Sequence, residues 1–124
     1  VRIMIPYHGD KGVMPPLASR SYVKDVITAG VKVYFYDNGY MHSKAIVSDD
    51  RVASIGSTNM DVRSYEQDFE INAFIYDKKV AKDVKSAFLA DQEHSWLVDP
   101  QKWASRSRFV RFKESLARLT SPLL

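Results

Sequence analysis

A mixed α/β sandwich is the fold class that this sequence predicts, and three observations predict it. Runs rich in β-branched and aromatic residues alternate with stretches of helical periodicity in the order βαβββαβα. Glycine, proline, asparagine and aspartate stand at most of the joints between them. The composition, 45% hydrophobic and 12% aromatic over 124 residues, is that of one globular domain and excludes disordered, collagen-like and coiled-coil classes. No apolar run approaches the roughly 20 residues needed to cross a bilayer. The chain has no cysteine, so disulfides, thiolate metal sites and a cysteine nucleophile are excluded, and any chemistry rests on histidine, lysine, serine or carboxylates.

Each element follows from its own residues. Residues 1–6 form a short apolar run of strand type, and the polar stretch 8–16, with Gly9, Gly12, Pro15 and Pro16, reads as a loop entering a helix. The apolar positions Leu17, Tyr22, Val26, Ile27 and Ala29 suit an amphipathic helix over 17–29, and Gly30 stands where a C-cap is expected. Residues 31–37 form a strand with Tyr34, Phe35 and Tyr36 as core, and Asn38-Gly39 is a hairpin-type turn before a second strand over 41–48. Asp49-Asp50-Arg51 turns the chain into 52–55, which ends at Gly56. Ser57, Thr58, Asn59 and Asp61 are N-cap types and predict a short helix through about Ser64, ahead of a strand over 69–76. From Asp77 onward, Val80, Val84, Ala87 and Phe88 are spaced for one buried helix face.

Charge divides the chain. Residues 1–94 carry 12 basic and 13 acidic groups, whereas residues 95–124 carry 6 and 2, so the net charge of +3 belongs to the tail. This separates a catalytic α/β body, 1–94, from a basic amphipathic tail, 95–124, in which Phe109, Phe112, Leu116 and Leu119 lie opposite Arg108, Arg111 and Arg118. That apolar face reads first as packing on its own domain or on a partner half, and second as contact with an anionic lipid surface. The sequence opens at Val1, without a methionine and inside a strand-like run, as a segment of a longer chain would.

The chemistry gathers between residues 42 and 70. Strand alternation puts His42 and Lys44 on one face, which sets an acid, base or nucleophile beside a fixed cation. Gly56-Ser57-Thr58-Asn59 opens the predicted short helix, where backbone N–H groups and the Ser57 and Asn59 side chains are suited to an anion. Glu70, in the strand over 69–76, has a carboxylate able to fix an imidazole tautomer. His8 and His94 read as a surface-loop and a helix-end residue, and Asp61 with Arg63 as a helix-start charge pair supporting the site.

The pattern H-x-K-x4-D-x6-G-S-x-N, formed by His42, Lys44, Asp49, Gly56, Ser57 and Asn59, resembles the HKD signature of the phospholipase D superfamily. The segments Ala18-Ser19-Arg20-Ser21-Tyr22, Ala29-Gly30-Val31-Lys32-Val33-Tyr34, Asn59-Met60-Asp61-Val62-Arg63-Ser64, Phe69-Glu70 and Ser121-Pro122-Leu123-Leu124 narrow the resemblance to bacterial cardiolipin synthases. It implies a phospholipase D-like mixed β-sheet flanked by helices, one half of a two-domain catalytic region, with this chain as the C-terminal half carrying the second motif. It also implies phosphatidyl transfer between two phosphatidylglycerol molecules through a phosphohistidine, giving cardiolipin and glycerol, with no metal and no cofactor.

In that scheme His42 is general acid and then base, and the attacking histidine comes from the other half. Lys44, Ser57 and Asn59 meet the phosphate, Glu70 orients the histidine, and Asp49 and Gly56 are structural, Asp49 through a salt bridge. The implied partners are anionic phospholipid, an N-terminal HKD half or a second copy, and a membrane surface; the implied location is the bacterial cytoplasmic membrane, with the spanning part outside this segment. Asp68 departs from the family's usual asparagine before Phe69-Glu70, placing a carboxylate where it would repel phosphate unless a basic partner holds it. Two other readings compete: a single-motif nuclease or phosphodiesterase working as a homodimer, and a non-catalytic lipid-surface module. Nucleic acid is disfavoured because residues 1–94 are net acidic.

Overall fold

The computed structural model describes residues 1–9 and 12–123; Asp10 and Lys11 of the expected loop, and Leu124 of the terminal segment, lie outside the described residues. The elements in chain order are β1 (Arg2–Pro6), α1 (Met14–Thr28), β2 (Lys32–Tyr36), β3 (Ala45–Ser48), β4 (Val52–Gly56), α2 (Val62–Glu66), β5 (Asn72–Ile75), α3 (Lys78–Glu93), β6 (Ser95–Leu97), α4 (Pro100–Ala104), α5 (Arg108–Arg118) and a 3-10 turn over Ser121–Leu123. This is the mixed α/β arrangement expected, and among the described residues six strands divide between two three-stranded sheets. No helix among the described residues is long and apolar enough to cross a membrane.

The chain forms two compact units, Val1–Met41 with His94–Leu124, and His42–Glu93. In the first, β1 runs parallel to β2, and β6 pairs antiparallel with the other edge of β2. Both edges of β2 are therefore occupied, so Asn38-Gly39 does not close a hairpin onto β3, the outcome its turn chemistry suggested. Gly39, at φ +100°, bends the chain out of the sheet.

Helix α1 ends in a Schellman motif: Gly30 at φ +84° sends its N–H to the Ile27 carbonyl, and Val31 sends its N–H to that of Val26. This return brings Val23, Val26 and Ile27 against Val33 and Phe35 of β2. Val23, Val33, Phe35 and Val98 are buried together, with Ile5, Tyr7 and Trp103 packed around them. The Trp103 ring stacks on Phe35 at 5.6 Å. Residues 95–124 thus supply a strand and core side chains to the same unit as β1 and β2 rather than standing apart as a tail.

In the second unit β3, β4 and β5 form an antiparallel sheet. Asp49 and Asp50 both take left-handed φ, 51° and 54°, and the Arg51 N–H closes the turn on the Ser48 carbonyl. α3 packs on β3 and β4, burying Ala53 and Ala81. Its first turn is capped by the Asp77 carboxylate, which accepts from the Val80 N–H at 2.9 Å. Ala81, rather than Ala87, completes the inward face with Val80, Val84 and Phe88.

Candidate active site

His42 and Lys44 lie in the irregular segment that leads into β3, not within the strand, which starts at Ala45, so strand alternation does not set their faces. Lys44 is tied at both ends. Its carbonyl accepts the Gly56 N–H at 3.1 Å, and its ammonium folds back to donate to the His42 carbonyl at 2.8 Å. A lysine ammonium has three donors, so this bond sets the direction of the side chain and leaves two N–H groups for an anion. His42 itself is exposed.

Gly56 closes β4 opposite Asn72. A Cβ there would lie 1.7 Å from the Asn72 Oδ1 and 2.2 Å from the Ile71 carbonyl oxygen, so only glycine permits β5 to approach. Asn72 has little room to yield, because its Nδ2 donates to Thr58 Oγ1 at 2.8 Å. Motif glycine and strand pairing are therefore one requirement.

Beyond Gly56 the structure departs from the expected anion cradle. The helix starts only at Val62, and of the four expected cap residues it is Asp61 that serves, accepting from the Ser64 N–H at 2.8 Å. Three backbone N–H groups of the turn are already spent: Gly56 on Lys44, Ser57 on the Ile71 carbonyl at 2.9 Å, and Asn59 on Ser64 Oγ at 3.1 Å. A helix of five residues also has little dipole to offer.

What the turn builds instead is a clasp around Glu70. The Ser57 hydroxyl donates to Glu70 Oε2 and accepts from the Ile71 N–H at 3.0 Å. The buried Ser64 hydroxyl donates to Glu70 Oε1 at 2.8 Å and accepts from the Asn59 N–H. Each carboxylate oxygen thus receives one serine proton and keeps a second lone pair. Glu70 sits in the extended segment before β5 rather than inside a strand. Ser64 was missed by sequence reasoning; its only signal is its place three residues after Asp61, where a cap fixes its backbone and aims its hydroxyl.

Two other motif readings change. The salt bridge expected of Asp49 belongs to its neighbour: Asp50 accepts from Lys85 Nζ at 2.8 and 2.9 Å, while Asp49 accepts from the Ser48 hydroxyl at 3.2 Å. The left-handed turn explains the exchange, since it points successive side chains apart and only Asp50 meets α3. Arg63 pairs with Asp68 at 3.1 Å, not with Asp61. That gives the unusual Asp68 carboxylate its basic partner. His8 pairs with Asp37, Nε2 to Oδ1 3.2 Å, and His94 stands exposed just beyond α3.

Residues 1–92 match the family described as cardiolipin synthase, PLD-like domain. The chain belongs to that family. Over all 124 residues it is 42% identical to a cardiolipin synthase of Listeria welshimeri and 45% identical to cardiolipin synthase 2 of Staphylococcus epidermidis. It spans about a quarter of the length of these curated relatives, 26% and 25%. A cardiolipin synthase PLD-like domain therefore carries the clasp just described, and His42, Lys44, Gly56, Ser57, Asn59 and Glu70 all fall inside the matched region.

Proposed function

We propose that this chain supplies one half of a cardiolipin synthase active centre, acting on phosphatidylglycerol at a membrane surface. The overall reaction exchanges phosphodiester bonds. A histidine from a second HKD motif attacks phosphorus and forms a P–N bond while the P–O bond to glycerol breaks, His42 giving its proton to the departing alkoxide. The glycerol hydroxyl of a second phosphatidylglycerol then attacks, His42 takes its proton, and the P–N bond breaks to yield cardiolipin. Lys44 and Asn59 hold the non-bridging oxygens, where negative charge grows toward the transition state. No metal or cofactor enters the scheme.

The observation that carries this reading is the Glu70 clasp. A carboxylate fixed by Ser57 and Ser64, with a lone pair to spare on each oxygen, suits the task of holding His42 in one tautomer. It also reassigns Ser57: a hydroxyl has one proton, and here it is given to Glu70, so Ser57 positions the carboxylate and Lys44 and Asn59 carry the phosphate. Charge favours lipid over nucleic acid, because the unit His42–Glu93 holds 7 basic and 10 acidic residues.

The second motif is supplied by another part of a longer chain or by a second copy. The row Ile46–Ser54–Phe74 leaves Ile46 64% and Phe74 63% exposed on the sheet face opposite α3, an apolar strip suited to such a partner. The spanning part of the enzyme lies outside this segment. In the full-length protein, His42→Ala lowers cardiolipin formation by about a hundredfold or more while thermal unfolding is unchanged. Normal turnover by that variant would overturn the assignment.

A further inference from the structure

Helix α5 is held by one side and offers the other to solvent. Its inward side buries Glu114 and Ala117. Arg118 Nη1 donates to Asp25 of α1 at 3.0 Å and its guanidinium lies 4.1 Å from the Tyr22 ring centroid, while the Tyr22 hydroxyl donates to Ser121 at 3.2 Å. These contacts fix the rotation of the helix about its axis.

That rotation places the apolar stripe outward. Phe109, Phe112, Leu116 and Leu119 are 63%, 64%, 55% and 75% exposed. At 3.6 residues per turn they fall within an arc of about 80°. The stripe therefore does not pack on its own domain, the first of the two partners expected for it. Cations rim it on both sides: Lys113 on one, with Nζ 4.5 Å from the Phe109 ring centroid, and Arg108 and Arg111 on the other.

Among the described residues, no ion pair joins Arg108, Arg111 or Lys113 to a carboxylate of this segment. Residues 95–124 contain two carboxylates, and both are engaged elsewhere. Glu114 is buried and accepts two bonds from Arg106, at 2.6 and 2.9 Å, and Asp99 caps α4 by accepting from the Gln101 and Lys102 N–H groups.

We infer that the outward face of α5 docks on an anionic bilayer, its phenylalanines and leucines entering the boundary between headgroups and acyl chains while Arg108, Arg111 and Lys113 meet lipid phosphates. A second copy of this chain is disfavoured as occupant, because a two-fold contact through α5 would set like charges against each other. The inference extends the proposed lipid chemistry to a surface that presents the substrate, yet its test needs no turnover.

The test is sedimentation of the chain with vesicles of phosphatidylglycerol and phosphatidylcholine, against vesicles of phosphatidylcholine alone, at low and high salt. Binding to the anionic vesicles that weakens with salt is expected. Phe109→Ser with Phe112→Ser lowers the partition coefficient about tenfold or more, and Leu116→Ser with Leu119→Ser does the same. Replacing Arg108, Arg111 and Lys113 by glutamine removes the preference for anionic vesicles. All these side chains are exposed, so circular dichroism and tryptophan emission stay as in the parent. His42→Ala keeps full vesicle binding, so failure of the catalytic scheme and failure of the docking surface are read separately. Unchanged partition of both apolar pairs, or a parent dimer that these pairs convert to monomer without affecting vesicle binding, would overturn the inference.

Discussion

Phe35 and Glu70 organise their surroundings by opposite means. Around Phe35, the unit Val1–Met41 with His94–Leu124 closes in the usual way, by burying Val23, Val33, Val98 and the Trp103 ring. Around Glu70, the unit His42–Glu93 has little apolar interior beyond Ala53, Ala81 and the residues that line α3; it is ordered by hydroxyls, caps and strand pairing. Their charges differ as well. The first unit carries 11 basic and 5 acidic residues and the second 7 and 10. The contrast teaches a division of labour, in which one unit closes on an apolar core and carries a cationic surface and the other holds the exposed side chains of the candidate site in place with polar bonds. Hydrophobic contacts are non-directional, whereas a serine hydroxyl donating to one carboxylate oxygen fixes a position.

The comparison can be broken at its strongest point first. Phe35→Ala removes the largest fully buried side chain and is expected to destabilise the first unit by about 3–5 kcal/mol. Both tryptophans, Trp96 and Trp103, belong to that unit, so tryptophan emission during urea unfolding reads it selectively. Gly56→Ala acts on the other unit. Its Cβ collides with Asn72 and the Ile71 carbonyl, so β5 must move from β4 at a cost of about 1–3 kcal/mol, seen as loss of amide protection over residues 71–75 with the tryptophan transition unshifted.

The smallest effect is expected at Lys79, whose pKa is raised above the ordinary 10.5 by its hydrogen bond to Asp83 and then by the charge of Asp83. A raised folded-state value means that the pair contributes fully below about pH 10.5 and that this contribution is lost as pH climbs through the raised value. The pair is solvent-exposed, so Lys79→Ala leaves the unfolding midpoint at neutral pH within error.

Most of what was legible in the sequence is local. The HKD spacing, with the resemblance it carries, grouped His42, Lys44, Gly56, Ser57, Asn59 and Glu70 within a body expected over 1–94; the unit that holds them is the narrower His42–Glu93, which their closeness in the chain and the short turns between them allow. Gly30 as a C-cap and Asp77 as the start of α3 were equally readable, since caps depend on a few neighbouring residues. Pairings between distant residues were not readable. Nothing near Asn38-Gly39 signals that β6, nearly 60 residues on, takes the edge of β2 that a hairpin would need. Asp49 and Asp50 are chemically identical, and only the left-handed turn decides which one meets Lys85. For α5 the amphipathic pattern was plain, but a pattern marks two faces without saying which is inward; the Arg106–Glu114 pair and the bonds to α1 decide that.

The polar clasp orders the segments around Glu70 independently of the apolar core around Phe35. Amide hydrogen exchange of Ser64→Ala against the parent chain tests it most directly. That change leaves the Asn59 N–H without its acceptor and removes one of the two serine protons from Glu70. The amides of Asn59 and Ile71 are expected to exchange about tenfold faster or more, while those of Phe35 and Val98 are unaffected. Equal acceleration in both units, or no change at Asn59 and Ile71, would contradict that independence.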